Sequence, residues 1–412
     1  MESLKRKINE IKFKDIEDIL VGDMLHYRLE EAGNGDLRNI FSMLFFKNYD
    51  FKVSGNPDTL CFSGCGKNRK DQMDAFCGVV ELINNKVTMV QSEKKFSFIG
   101  LKNIAKLLVW NKQLKTVVPD KNKRIFLVGN MFHAYLAFKL FEQNKKRYSW
   151  NINKLVTFCD VLPTDYFFLS KLNDECDITV TLQHGVYPIT TNKWAYSGSR
   201  SKYFLLDSQH TVDGAIMSGY KGKPLAVGSI HNMNKTVEER VPVKNDVIGV
   251  FCNSVMFPEE DNTEMIRVVE AFCEAKGKKL LIKLHPTNDV AKYEKIINKQ
   301  VSTICDKNIT VDEFAEQIEL AIVGISTVFT AMLFKSVPAF IFFRKGYDQN
   351  LYLNSEDVKF STTERLKTLV EKIDTEEFNK IMECYKNYYL LSGNIKENYK
   401  RVFKEIGIND DK

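Results

Sequence analysis

The chain has 412 residues, of which 44% are apolar and 12% aromatic, including 29 Phe and 16 Tyr. That length and composition give two or three domains with real cores and exclude a chain without long-range order. The net charge of +6, spread along the chain and concentrated near both ends, favours anionic partners such as nucleotides, phosphorylated lipid carriers or an acidic membrane face. It is too mild and scattered for a nucleic-acid partner, and no recognition motif for one occurs.

The first hundred residues give mixed signals. DILVGDMLHYRLEE reads as helical or mixed, and LRNIFSMLFFKNYDF as a buried helix and turn. DTLCFSGCG reads as a strand entering a Gly turn. MDAFCGVVELI has helical spacing, and IGLKNIAKLLVWNKQL predicts a clearer amphipathic helix.

From about residue 122 the rhythm changes. KRIFLVGN predicts a short strand ending in Gly, and MFHAYLAFKLFEQNKK a helix. NKLVTFCD, ITVTLQHG, KYFLLDS and PLAVGSI predict strands. PTDYFFLSKLNDEC and QHTVDGAIMSGY predict helices between them. This alternation predicts βαβ units and a parallel sheet. The polar stretch HNMNKTVEERVPVKND reads as a linker.

The same rhythm then restarts. VIGVFCNS, KLLIKLHP, STICD, LAIVGIS and PAFIFF predict strands, PAFIFF being the last. NTEMIRVVEAFCEAKG predicts a helix capped by Asn262 and ended by Gly277. NDVAKYEKIINKQ, TVDEFAEQI and TVFTAMLFKSV predict further helices. Two or three amphipathic helices close the chain, including TERLKTLVEKI and EFNKIMECYKNYYLL. The fold class expected is therefore α/β, with two doubly wound units in tandem. Residues 1–240 form the first, with 1–118 as an N-terminal α/β extension, and 241–412 the second, with C-terminal helices.

The nine Cys are odd in number and dispersed among apolar runs such as TFCD and VFCN. They read as reduced cytoplasmic thiols packed as small apolar residues. Cys61 and Cys65 are separated by three residues, no Cys-x-x-Cys occurs, and no second ligand pair lies at zinc spacing, so no metal is expected. The opening MESLKRKINEIKFKDIEDIL has no apolar core and is not expected to be a signal peptide. The longest apolar runs fall far short of a membrane span. The expectation is a cytoplasmic protein, with any membrane contact peripheral and at the inner face.

Ligands of open parallel sheets bind at the carboxyl ends of the strands. Five predicted strands end in polar or chemically active residues: Asp160, His184 with Gly185, Asn253 with Ser254, His285 with Pro286, and Ser326 with Thr327. Five on two sheets predict a cleft between facing domains. Ser326 and Thr327 open a helix, where free N–H groups and hydroxyls suit a phosphate, although an N-cap role alone accounts for Ser326. His285 could donate to a phosphate oxygen or protonate a leaving group, and a satisfied strand-end His is the plainer alternative. Lys283 lies two positions earlier, on the same face of the strand. His184 is the candidate general base, and Asp160 either competes for that role or orients the imidazole. There is no P-loop, no Gly-x-Gly-x-x-Gly after a strand, no Gly-x-Ser-x-Gly and no Asp-x-Asp at a strand end.

KLHP at 283–286, GIST at 324–327 and QHG at 183–185 resemble motifs of the GT-B glycosyltransferase superfamily. More narrowly, the likeness is to bacterial surface-polysaccharide enzymes: capsule polysialyltransferases, Kdo-transferase-like proteins and teichoic-acid glycerophosphotransferases. The resemblance covers roughly residues 120–345. It implies two facing Rossmann-like domains, the second holding the donor, and a terminal helix that often crosses back to the first. It places His285, Ser326 and Thr327 on the donor nucleotide and its phosphate, and His184 as the catalytic base. The implied donor is a nucleotide sugar of CMP or UDP type and the acceptor a glycan or lipid-linked glycan, with no further cofactor.

The chain also departs from these families. STVFTAMLF lacks the acidic residue that follows the Ser pair of the glycerophosphotransferases. LEEAGNGD, around Glu30 and Glu31, matches the acidic pair of polysialyltransferases imperfectly. A Glu-rich donor motif of retaining enzymes is missing, which implies inversion. Other readings are a CDP-polyol phosphotransferase, a nucleotide-sugar epimerase on the same architecture, or a binding protein without catalysis. The basic tail KENYKRVFKEIG fits either anionic lipid headgroups or a solvated helix face.

Overall fold

The computed structural model describes residues 37–64, 70–158, 163–183, 185, 196, 199–233, 245–254, 258–324, 326–344, 352–391 and 393–409. His184, Asp160, Glu30, Glu31 and Cys65 lie outside the described residues.

The first half builds one seven-stranded sheet in the order β1-β3-β2-β4-β5-β6-β7. Its elements begin with α1 (Leu37–Phe45), β1 (Phe46–Val53), β2 (Thr59–Ser63), α2 (Lys70–Val80) and β3 (Lys86–Phe96). Then come α3 (Ile99–Lys102), α4 (Ile104–Leu114), α5 (Lys121–Arg147), β4 (Lys154–Phe158) and α6 (Pro163–Leu172). β5 (Ile178–Leu182), β6 (Tyr203–Leu206), α7 (Gln209–Met217) and β7 (Lys223–Ala226) complete it. Only the β1–β3 pair is antiparallel among the pairings of this sheet. β2 sits inside the sheet, so residues 37–118 are built into the first unit.

Strand side chains alternate between two cores, as a pleat requires. Leu60, Phe62 and Leu155 face α4, α5 and α6. Cys61 and Val156 face α2 and α7.

The second half builds a six-stranded parallel sheet, β10-β9-β8-β11-β12-β13. Its elements are β8 (Val247–Phe251), α8 (Glu259–Lys276), β9 (Lys279–Lys283), α9 (Val290–Tyr293), β10 (Ser302–Ile304), α10 (Val311–Ala315), β11 (Leu320–Val323), α11 (Val328–Phe334), β12 (Ala339–Phe342) and β13 (Lys359–Phe360). Counted from β8, the strands lie third, second, first, fourth, fifth, sixth across the sheet. This is the order of a nucleotide-binding doubly wound sheet, and it reverses between β8 and β11. The molecule is thus α/β with two Rossmann-like sheets. Three helices follow: α12 (Thr363–Val370), α13 (Glu376–Tyr389) and α14 (Ile395–Glu405).

The structure corrects several expectations. KRIFLVGN is the opening of α5, a 27-residue helix, rather than a strand. Asp120 caps that helix by accepting from the Lys123 N–H at 2.9 Å. Ala134 to Phe138 are buried without a break, so the helix has no polar stripe there to mark its period. NDVAKYEKIINKQ gives only the single turn of α9. IGLKNIAKLLVWNKQL breaks at Asn103 into α3 and α4. PAFIFF is not the last strand, because β13 pairs beyond it. Asn262 is not a cap: α8 begins at Glu259, with Pro258 before it, and ends as expected at Gly277 with φ of 67°. Most of the tail assigned to the second unit stays there, but α14 packs on the first sheet, with Ile395, Tyr399, Val402 and Phe403 joining Val156, Val180 and Phe204.

Candidate functional site

Three strand ends in the second sheet are level. Phe251 of β8 is in register with Lys283 of β9 and Val323 of β11. The turns carrying Asn253 with Ser254, His285, and Gly324 with Ser326 and Thr327 therefore start from one line, and two of them flank the point where strand order reverses.

The Asn253 turn is held rigidly. Asn253 is 4% exposed. Its N–H donates to Asn262 Oδ1 at 2.7 Å, and its carbonyl accepts from Asn262 Nδ2 at 3.0 Å. Asn262 Nδ2 also donates to the Tyr293 hydroxyl at 2.9 Å, tying β8 to α8 and α9. The neighbouring turn passes close by, since a Cβ on Gly324 would lie 2.3 Å from Asn253 Oδ1. Any larger residue at 324 would have to displace the Asn253 side chain.

His285 is half-buried, and its turn is closed by its own N–H donating to Asn288 Oδ1 at 2.8 Å. Its ring Nδ1 accepts from the Thr287 N–H at 3.2 Å and lies 2.7 Å from the Thr287 hydroxyl. A backbone N–H can only donate, so Nδ1 is the bare nitrogen and the neutral ring carries its proton on Nε2. That makes Nε2 a donor, the role a phosphate oxygen needs. Lys283 is the last residue of β9, two positions before His285. Its ammonium donates to the Ile309 carbonyl, ahead of α10.

Thr327 is the N-cap residue of α11, but its side chain makes no cap hydrogen bond. Ser326 takes that part, with Oγ accepting from the Val328 N–H at 3.2 Å. The Ser326 carbonyl accepts from the Tyr352 hydroxyl at 2.9 Å.

The first sheet has a matching row. Phe158, Leu182 and Leu205 are in register across β4, β5 and β6. Asp160, His184 and Asp207 each come two positions later in sequence. Gln183 links the last two strand ends: its Oε1 accepts from the Asp207 N–H at 2.8 Å, and its Nε2 donates to the Gly185 carbonyl at 2.6 Å.

A cleft of about 500 Å³ opens between the two units. Gly185, Asp207, His210, Ser229 and His231 line it from the first, and Thr327, Thr330 and Ala331 from the second, at the start of α11. Burial pushes the Asp207 carboxyl up to about 7, against the opposing pull of a hydrogen bond from Ser229. His210 is 1% exposed; its ring stacks on Tyr352 at 5.6 Å and meets the edge of Tyr389 at 4.9 Å. The structure thus brings Thr327 into one cleft with Gly185, the sequence neighbour of His184. His285, Asn253 and Ser254 belong to the strand-end row rather than to the described lining.

Asp207, His210 and His231 escaped the sequence reading. The rule that selected His184 would have found Asp207, which ends a strand that was correctly read. Among the described residues, no three His, Cys, Asp or Glu side chains gather as a metal-binding group. No described helix is long and apolar enough to cross a membrane.

Residues 247–344 match the family model of alpha-2,8-polysialyltransferase (POLYST). The match opens at the first residue of β8 and closes just beyond β12. KLHP and GIST fall inside it; QHG does not. No curated protein matches the chain. Among solved structures, the UDP-GlcNAc 2-epimerase of Methanocaldococcus jannaschii in complex with UDP-GlcNAc and UDP is 14% identical over 85% of this chain and 99% of its own, with a TM-score of 0.48. The glycotransferase of kitacinnamycin is 8% identical over 84% and 99%, at 0.47. The UDP-GlcNAc 2-epimerase from Neisseria meningitidis is 11% identical over 85% and 100%, also at 0.47. The fold assignment stands on the strand order itself.

Proposed function

We propose that the protein is a glycosyltransferase that moves a sugar from a nucleotide-sugar donor to a surface-polysaccharide or lipid-linked glycan acceptor. The position of the family match carries this reading. It covers β8 to β12, the part of the molecule whose strand order reverses and whose strand-end turns carry Asn253, Ser254, His285, Ser326 and Thr327. Ligands of open α/β sheets bind at such reversals.

The donor's nucleotide, of CMP or UDP type, rests on these turns. The Nε2–H of His285 and the hydroxyls of Ser326 and Thr327 donate to its phosphate. Their contribution is largest as the sugar bond breaks, because the leaving phosphate then gains charge. The acceptor hydroxyl approaches from the first sheet. A base there removes its proton as the oxygen attacks the anomeric carbon, and direct displacement inverts that centre. His184 and Asp160 are the candidates from sequence. Asp207 joins them on its place in the cleft and its raised carboxyl. Lys283, whose ammonium meets the Ile309 carbonyl, adds a positive charge beside this row.

The test is nucleotide release by the full chain from CMP-, UDP-, GDP- and CDP-linked donors, with and without acceptor glycan, and the product mass. Release that requires acceptor, with a product heavier by one sugar, supports the proposal. A mass gain that includes phosphate replaces it with polyol-phosphate transfer. Conversion of a donor without acceptor replaces it with epimerisation, and donor binding without turnover with a binding protein.

A further inference from the structure

The basic tail does not offer its apolar side to a membrane. In α14 the apolar side chains Ile395, Tyr399, Val402 and Phe403 are buried in the first core. Two of its cations pair with acids of the same helix, Lys400 with Glu397 and Arg401 with Glu405.

A different face is exposed and apolar. Phe41 of α1 is 62% exposed, Phe96 at the end of β3 is 64%, and Phe98 before α3 is 53%. Leu108 and Val109 of α4 are 60% and 53% exposed, although α4 already buries Trp110 and Leu114 on its other side. Contacts tie α1, β3 and α3 together, and α4 follows α3 directly in the chain. Phe96 packs edge-on against Phe46 at 6.0 Å and Phe98 at 4.8 Å. Lys94 Nζ donates to Ser42 Oγ at 2.8 Å, joining β3 to α1. Gly100 of α3 lies against the Met43 carbonyl of α1.

The charge on these segments is net positive, although Glu93 lies in β3 and Lys95 pairs with Asp50 of β1 at 2.6 Å. From Lys94 to Pro119 there are six lysines and no acid, and from Leu37 to Tyr49 there are Arg38 and Lys47 and no acid. We propose that this face, made of α1, the Phe96–Phe98 corner and α4, docks on the surface of an anionic lipid bilayer. Aromatic and aliphatic side chains set among lysines suit an interface that is apolar below and negatively charged above. A second copy of the chain fits poorly, because a two-fold contact would set lysines against lysines. Nucleic-acid phosphates would satisfy the lysines but leave Leu108 and Val109 without a partner. The inference does not depend on sugar transfer.

The experiment is co-sedimentation of the full chain with vesicles of phosphatidylcholine alone or with about a third of phosphatidylglycerol. Binding to the anionic vesicles only, weakened by added salt, is expected. Phe96→Ser with Phe98→Ser lowers the partition coefficient about tenfold. Lys112→Gln with Lys115→Gln lowers it about fivefold or more, at side chains exposed enough to leave folding intact. Nucleotide affinity, measured in parallel, stays unchanged in both variants. No binding to anionic vesicles overturns the proposal, as does binding that both pairs leave unchanged. Concentration-dependent dimerisation abolished by the same substitutions, without vesicle binding, assigns the face to a second copy and also overturns it.

Discussion

Asn262 grips Asn253 by both ends of its amide, accepting from the Asn253 N–H at 2.7 Å and donating to the Asn253 carbonyl at 3.0 Å. One side chain in the first turn of α8 thus replaces the ladder partners that β8 loses as it ends. Asn262→Ala leaves both buried backbone groups without this partner and is expected to cost about 1–3 kcal/mol in a denaturant titration. Asn262→Asp keeps the acceptor but loses the donor, and places a carboxylate beside the Asn253 carbonyl. Its expected loss is at least as large, with a raised donor KM.

Gly324 is expected to tolerate no side chain. The Cβ of Gly324→Ala would meet the buried Asn253 side chain, with Oδ1 at 2.3 Å, and would force it to move. A donor affinity lowered about tenfold or more, read by calorimetry, is the outcome if the turns must stay adjacent to hold the nucleotide. Wild-type affinity in this variant would separate the strand-end row from donor binding.

His285→Ala is expected to abolish sugar transfer while leaving the melting temperature within a few degrees, because the ring is half-buried and its bonds to Thr287 lie within one turn. His285→Gln keeps an N–H donor and should retain part of the rate. Equal loss in both variants would argue for a proton-transfer role instead.

Asp207 and His133 give opposite pH dependences. The folded Asp207 carboxyl, raised from 3.8 to about 7, keeps a proton that the unfolded chain has released. Its contribution to stability is therefore complete below pH 3.8 and is lost as pH rises to about 7. His133 lies 3.2 Å from the Tyr49 hydroxyl, and burial lowers it from 6.5 to about 4. Its contribution is present above pH 6.5 and is lost as pH falls to about 4. Asp207→Asn should remove the first slope and His133→Gln the second, read as melting temperature against pH. A base at Asp207 also gives a transfer rate that rises with pH through about 7, and Asp207→Asn would abolish it.

The second sheet was more legible than the first. Its strands are short apolar runs set off by Gly, Asn and charged helices, so VIGVF, LLIK and LAIV stood out. The first sheet hid two strands. KVTMVQSEKKF of β3 is buried for only its first half, and its charged remainder has weak strand preference. FKNYDFKV of β1 is an edge with a shifted register between Lys47 and Tyr49, which interrupts its alternation. Local pattern also could not place Asn262, whose partner is the end of another strand. The turns at the strand ends were readable because position in a parallel sheet predicts chemistry. The aromatic cluster beside the cleft was not, since His210, Tyr352 and Tyr389 meet only after the chain has folded back across both units.

That return has a mechanical consequence. The polypeptide passes between the two sheets twice, once after β7 and once between α13 and α14, and Tyr388 of α13 donates to Asp213 of α7 at 2.9 Å. Cutting the chain after Leu391 would remove one tether together with a layer of the first core, so a tail deletion would weaken the half of the molecule farthest from it in sequence.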